Sequence, residues 1–345
     1  MESITIRRPD DFHVHVRSGP MMVDLVRHTA RQFARAIIMP NLRPPVRTVE
    51  EAARYREEIL HATKGMNFAP LMTLYLTDTT TPDEIRRAKA CGFIHGVKLY
   101  PSGATTNSDA GVTDLAALDP VLHCMESEDM PLLVHGEVTD KSVDVFDRET
   151  AFLEQYLQHL PLRLPRLRIV FEHITTAAAV DYVTRAPSTV AATITPHHLL
   201  WNRNEIFRSG IRPHAYCLPV LKREEDRQAL LRAAVSGSSK FFAGTDSAPH
   251  ERATKENACG CAGIYNAHAA LELYAMAFEG AGALGRLEGF LSEFGADFYG
   301  LKRNEGRITI ARREQKVPDC FEFGGSAVVP MFAGETIPWS VEYAL

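Results

Sequence analysis

The chain has 345 residues, enough for one large barrel domain, and its 45% hydrophobic and 23% charged residues are the balance of a globular protein. A formal net charge of -5 with no basic run excludes the electrostatic footprint of a nucleic-acid binder. The polar start Met1–Arg8 lacks the apolar core of a secretory signal, and His268, Glu272 and Glu279 interrupt the apolar stretch Ile264–Leu284, so a cytoplasmic chain without a membrane segment is expected.

Short apolar or β-branched runs alternate with amphipathic stretches along most of the chain, the pattern of βα units on a parallel sheet. Strands are expected near Phe12–Val16, Ala36–Met39, Ala69–Leu76, Gly96–Tyr100, Leu132–His135, Arg168–His173, Val190–Thr195 and Lys240–Thr245. Thr81-Pro82-Asp83-Glu84 supplies an N-cap, a proline in the first turn and a capping-box glutamate, and Gly92 closes that helix. Thr113 is expected to cap a second helix with its apolar face on Leu115, Leu118, Val121, Leu122 and Met125, and Thr175-Thr176 and Glu224-Glu225 to open two more. Periodicity alone also fits an open doubly wound sheet. The reactive residues favour an α/β (β/α)8 TIM-type barrel, because five of the eight strands end at a potential ligand and a barrel gathers strand ends around one point. The whole chain, 1–345, is read as one barrel domain with a packing extension from about Phe298.

His13 and His15 stand two apart on the first strand, where alternation puts both imidazoles on one face. That pair alone would equally suit a hydrogen-bonded core. His135, His173 and Asp246 at later strand ends add two imidazoles and a carboxylate at the same barrel rim, the donor set of a metal centre. Lys98 ends the fourth strand, and a buried amine beside metals favours its neutral form, which can add carbon dioxide to give a bridging carbamate. A lysine paired with a carboxylate at the rim is the plainer alternative. Arg17, two residues beyond His15 on the same strand face, could grip a carboxylate with its planar fork. The short polar loop Ser102–Gly111 could close over a ligand. His197 and His198 are adjacent, face opposite ways on a strand, and are read as structural. Of the six cysteines only Cys259 and Cys261 are close, without the paired Cys-x-x-Cys spacing of a zinc ribbon.

The segments Asp11-Phe12-His13-Val14-His15-Val16-Arg17, Met39-Pro40-Asn41-Leu42-Arg43-Pro44-Pro45, Gly96-Val97-Lys98-Leu99-Tyr100-Pro101, Gly103-Ala104-Thr105-Thr106-Asn107-Ser108, His135-Gly136-Glu137, Phe171-Glu172-His173-Ile174-Thr175-Thr176 and Gly244-Thr245-Asp246-Ser247-Ala248-Pro249-His250 resemble, together and over nearly the whole chain, the dihydroorotases of the short, single-function bacterial type in the amidohydrolase superfamily. The resemblance implies a reversible hydrolysis of dihydroorotate to N-carbamoyl-aspartate in pyrimidine biosynthesis. It also implies two zinc ions per chain, one on His13, His15 and Asp246 and one on His135 and His173, bridged by carboxylated Lys98 and a hydroxide. Asp246 would be the proton carrier. Arg17, Asn41 and His250 would hold the substrate carboxylate, Leu218 and Ala262 the ring amides through their backbone, and Thr105 and Thr106 would reach the substrate from a mobile lid. The partner is a small molecule, with neither nucleic acid nor membrane, and a homodimer is implied. Dihydropyrimidinases, hydantoinases and allantoinases share such a metal site, but they usually carry strands ahead of the His-x-His strand that build a separate β-sandwich, for which His13 comes too early, and their simplest substrates lack the carboxylate that Arg17 suits. A non-catalytic barrel serving as a scaffold is the reading from a different class, and the complete ligand set opposes it.

Overall fold

The structure, a computed structural model, describes residues 2–258 and 260–342. Strand β1 (Ser3–Arg7) precedes eight parallel strands: β2 (Asp10–Val14), β3 (Arg35–Ile38), β4 (Ala69–Tyr75), β5 (Ile94–Leu99), β6 (Leu132–Val134), β7 (Ile169–Phe171), β8 (Val190–Ile194) and β9 (Phe241–Ala243). These eight hydrogen-bond in sequence order, so all the expected strands are present. The ring closes just beyond its last strands. Asp246 N donates to His13 O (2.8 Å), His15 N donates to Ser247 O (3.1 Å), and Val14 bridges Ser247 in parallel. The first and eighth strand ends, which carry His13, His15 and Asp246, are thereby pinned together.

Inside the barrel, Phe12, Ile37, Leu71, Leu133, Val170, Ala191 and Phe242 form one cluster, plugged from below by Tyr299, whose ring stacks on Phe12 at 5.2 Å. Full burial of such an aromatic ring is worth about 1.5–3 kcal/mol, so the plug is a substantial part of what holds the floor of the site. A register shift between Asp11 and Val14 breaks strict alternation on β2: Phe12 joins the inner cluster and Val14 the outer one, although a regular strand would put both on one face. Gly244 makes room for this, since a Cβ there would lie 2.9 Å from His13 Cβ.

The helices follow their caps in part. Thr81 accepts from Glu84 N as expected, but the Glu84 side chain turns to Val49 N and Arg87 instead of back to the cap. Thr176 caps Ala177–Arg185, and Glu224 opens Glu224–Ala234. Thr113 caps nothing: its N and Oγ1 bind the Asp78 carboxylate, and the helix begins later, at Asp119, behind a 3-10 turn. A side-chain partner from a distant loop has outcompeted the local cap.

Past Phe298 the chain returns as β10 (Arg307–Ala311), β11 (Gln315–Lys316), β12 (Phe321–Phe323), β13 (Ser326–Val328), β14 (Thr336–Ile337) and β15 (Ser340–Glu342). β10 lies antiparallel between β1 and β15, an N-terminal pairing that the sequence reading does not contain. The buried Glu272, on helix Ala270–Gly280, accepts from Gln315 Nε2 and Val341 N and so ties this region to the barrel. Among the described residues no helix is long and apolar enough to cross a membrane.

Candidate active site

At the C-terminal rim of the barrel, His13 Nε2, His15 Nε2 and Asp246 Oδ1 form a triangle with sides of 3.3, 3.0 and 3.3 Å. Donor atoms of a tetrahedral metal site with ligand distances of about 2.0–2.1 Å sit roughly 3.3 Å apart, so the triangle fits one cation. Each imidazole is oriented through its other nitrogen: His13 Nδ1 meets Glu172 Oε2 at 2.9 Å, and His15 Nδ1 meets Asn41 Oδ1 at 2.7 Å. Those acceptors keep the protons on Nδ1 and turn both Nε2 lone pairs to the centre. Glu172 is itself fixed by the Thr193 hydroxyl at 2.6 Å.

A second donor group lies beside the first. The His173 ring centroid is 4.9 Å from those of both His13 and His135. Glu137 Oε2 engages His135 Nε2 at 2.8 Å, which leaves Nδ1 as the nitrogen that could ligate, and among the described residues His173 Nδ1 is buried without a hydrogen-bond partner. Lys98 completes the set. Its Nζ is fully buried and, among the described residues, has no hydrogen-bond partner and no carboxylate within salt-bridge distance, and burial pushes its pKa down to about 8. Orphaned imidazole nitrogen and orphaned amine are what a second cation and a carbamate would satisfy, so the residues fit a two-metal centre.

Burial opposes ionisation of Asp246, yet the imidazoles around it hold its pKa well below the usual carboxylate range, while burial drives His15 down to about 4 and His173 well below the usual range. His13 differs: its burial is outweighed by Glu172 and Asp246, which raise its pKa, so a cation binding at the triangle would have to displace a proton held there. Arg17, His173 and Asp246 all have left-handed backbone, with φ of 61°, 40° and 41°. Such strain in non-glycine residues collects where side chains must be aimed. For Arg17 this corrects the sequence reading: it has left the strand, and its turn, not strand alternation, returns it to the site.

A small cavity opens on these groups, lined among others by Arg17, Asn41, Tyr100, Thr105, Thr106, Leu218, His250 and Ala262. All seven substrate-contact candidates therefore meet at one place. Arg17 Nε donates to Pro249 O (2.8 Å) and Nη2 meets His250 Nε2 (3.0 Å), which aims the rest of the guanidinium at the cavity. Burial drives His250 down to about 2, so its ring is neutral and accepts from Arg17. The loop 102–111 lies against the cavity, with the Thr106 hydroxyl on Ala262 N (3.2 Å) and Asn107 Nδ2 on Asn41 O (3.2 Å).

The sequence reading misses Glu172, Glu137, Tyr100 and the Asp11 clamp, in which one carboxylate accepts from His13 N, Thr245 N and Thr245 Oγ1 and locks the two strand ends. Glu172 and Asp11 lie one and two residues from His173 and His13, but their partners come from strands far along the chain. His197 and His198 prove to be on a short helix, Pro196–Leu200, with ring centroids 4.5 Å apart and Cys217 nearby. His198 spends Nδ1 on Thr195 Oγ1 and Nε2 on Pro219 O, which leaves no lone pair for a metal and keeps it structural. Cys259 lies outside the described residues; Cys261 is a half-buried free thiol.

An eight-stranded barrel with this histidine and carboxylate cluster at its mouth defines the class: the family model for the amidohydrolase family matches residues 10–312, and the chain belongs to that family. Within it the chain groups with dihydroorotases. The dihydroorotase of Alkalilimnicola ehrlichii is 58% identical over 342 residues, covering 99% of this chain and 100% of the relative. Among solved structures, dihydroorotase from Campylobacter jejuni is 37% identical with a TM-score of 0.91, covering 99% of this chain and 98% of that one. Dihydroorotase from Saccharomyces cerevisiae in complex with 5-fluoroorotic acid is 36% identical with a TM-score of 0.90, covering 99% of each chain.

Proposed function

We propose that this enzyme catalyses the reversible hydrolysis of the cyclic amide of dihydroorotate to N-carbamoyl-aspartate, the step that closes the pyrimidine ring in the biosynthetic direction. The observation that carries the assignment is that Arg17, Asn41 and His250 line the same small cavity as His15 and Asp246, two members of the triangle completed by His13. An anionic ring needs both halves, one for its carboxylate and one for its scissile amide. Dihydrouracil and simple hydantoins would leave the buried Arg17 unpaired, which disfavours them.

His13, His15 and Asp246 would hold one divalent cation, His135 and His173 the other, with carboxylated Lys98 between them. The pair, when bound, would lower the pKa of a water and polarise the amide carbonyl. Asp246 turns Oδ1 to the two imidazoles, which leaves Oδ2 to take the proton of the attacking water and return it to the ring nitrogen as the carbon–nitrogen bond breaks. Arg17 orients the ring through its carboxylate, and the 102–111 loop, through Thr105 and Thr106, excludes bulk water. The same reading takes the metals as zinc, the substrate as the small-molecule partner, the protein as a cytoplasmic homodimer, and residues from about 298 onward as an extension of one barrel domain.

Turnover of dihydroorotate, followed by ultraviolet absorbance on protein of known metal content, should exceed that of dihydrouracil, hydantoin and allantoin. Preference for an uncharged ring would remove the carboxylate assignment and leave a different cyclic amidohydrolase, whereas no turnover at full metal loading would favour a scaffold.

A further inference from the structure

Lys255 is 4% exposed, and no carboxylate among the described residues pairs with it. Its ammonium instead donates to three backbone carbonyls: Tyr216 O at 3.0 Å, Cys261 O at 2.9 Å and Gly263 O at 2.6 Å. Burying an ammonium without a counter-charge is costly, and this one has its three donors fully used on two separate loops. Those loops are the ones that present Ala262 and Leu218 to the cavity.

Peptide geometry makes the arrangement directional. In a trans peptide the C=O and N–H point opposite ways. The Cys261 carbonyl is held by Lys255, so the N–H of the same peptide, that of Ala262, points away from Lys255. The next peptide is fixed at its other end: Gly263 N donates to Tyr216 O (3.0 Å), a carbonyl that Lys255 also holds, so Ala262 C=O is turned the same way. Both groups meet the Thr106 hydroxyl at the cavity, at 3.2 Å from N and 3.4 Å from O. Gly263 has φ +150°, and a Cβ there would lie 2.5 Å from Ala248 O, so the segment fits this path only as glycine.

A cyclic amide presents an N–H and a C=O along one edge, and Ala262 offers the complementary acceptor and donor. We propose that Lys255 is a positioning residue for substrate recognition, its ammonium setting the two peptide planes that flank Ala262 so that they read the amide edge of the ring. This rests on the assignment of a cyclic amide substrate above. It adds a residue outside the cavity lining that governs affinity while leaving the metal centre alone.

The test compares metal-loaded wild type with Lys255→Met, which keeps the length and removes the donors. Four quantities are read: metal content, the KM and kcat for dihydroorotate, and the Kd for 5-fluoroorotate by calorimetry. Expected are a KM and a Kd raised about tenfold or more, with kcat within about threefold and metal content unchanged. If the Met variant does not fold, Lys255→Gln, which keeps two donors, should give a smaller rise in the same two constants. Unchanged KM and Kd, with loss only of thermal stability or of active fraction, would overturn the proposal. Wild-type inactivity toward dihydroorotate would instead strike the substrate assignment, and the ratio of 5-fluoroorotate affinities between the two proteins would still judge Lys255.

Discussion

Asn41 Oδ1 accepts the Nδ1–H of His15 at 2.7 Å, while the amide nitrogen of the same side chain faces the cavity and the Thr106 carbonyl at 3.4 Å. One side chain thus orients the His15 imidazole with its oxygen and, on the proposed reading, would offer a donor to the substrate with its nitrogen. Asn41→Ala should lose both, raising the KM for dihydroorotate and weakening metal retention by roughly 10- to 100-fold. Asn41→Asp keeps an acceptor for His15 but sets a negative charge against the substrate carboxylate, so it should retain metal and still raise KM. Metal content after dialysis against a chelator, with steady-state kinetics, separates the two.

The Lys98 amine lies over the Tyr100 ring and has no hydrogen-bond partner among the described residues, so its removal costs no hydrogen bond there. Lys98→Ala should therefore fold normally, with metal occupancy reduced and turnover down roughly 100-fold or more. Added acetate or propionate, filling the space of the carbamate, should restore part of both. Full activity in this variant would remove the bridge from the mechanism.

Arg17 is buried and held by Pro249 O and His250. A hydrogen-bonded pair between its guanidinium and the substrate carboxylate would contribute about 1.5–3 kcal/mol, so Arg17→Met should raise the KM for dihydroorotate roughly 10- to 150-fold. Metal content should stay near normal, and discrimination against dihydrouracil should narrow. Unchanged kinetics would return Arg17 to a structural role.

Asp246→Asn should lower kcat by about 100- to 10,000-fold, the range for loss of a general acid and base, with a smaller effect on the Kd for 5-fluoroorotate. Equal collapse of turnover, binding and metal content would leave Asp246 as a ligand alone.

Away from the site, burial raises the Glu272 pKa from 4.5 to about 7. The folded protein then binds this proton more tightly than the unfolded chain, so Glu272 makes stability fall as pH rises from about 4.5 to about 7. Glu272→Gln keeps the acceptor for Gln315 and Val341 and removes the titration. It should be stabilising at pH 8 by up to about 3 kcal/mol and close to neutral at pH 4.5, read from urea unfolding at the two pH values.

The eight barrel strands and the residues at their ends were legible because each is a local signal: a short apolar run, then a histidine, lysine or aspartate where a strand stops. A barrel turns such signals into one site whatever the distance along the chain, which is why His13 and Asp246 could be joined from sequence. What spacing could not supply was any feature whose partner arrives from another strand. The register shift that sends Phe12 inward and Val14 outward, the left-handed turn that returns Arg17 to the cavity, and the Glu172 and Asn41 acceptors that fix the histidine tautomers all depend on closure of the ring. So does the loss of Thr113 as a helix cap, since Asp78 reaches it only once the loops are packed. The chemistry of the donor set belongs to the sequence, whereas its aim belongs to the tertiary structure, because hydrogen-bond direction and burial exist only after distant backbone segments meet.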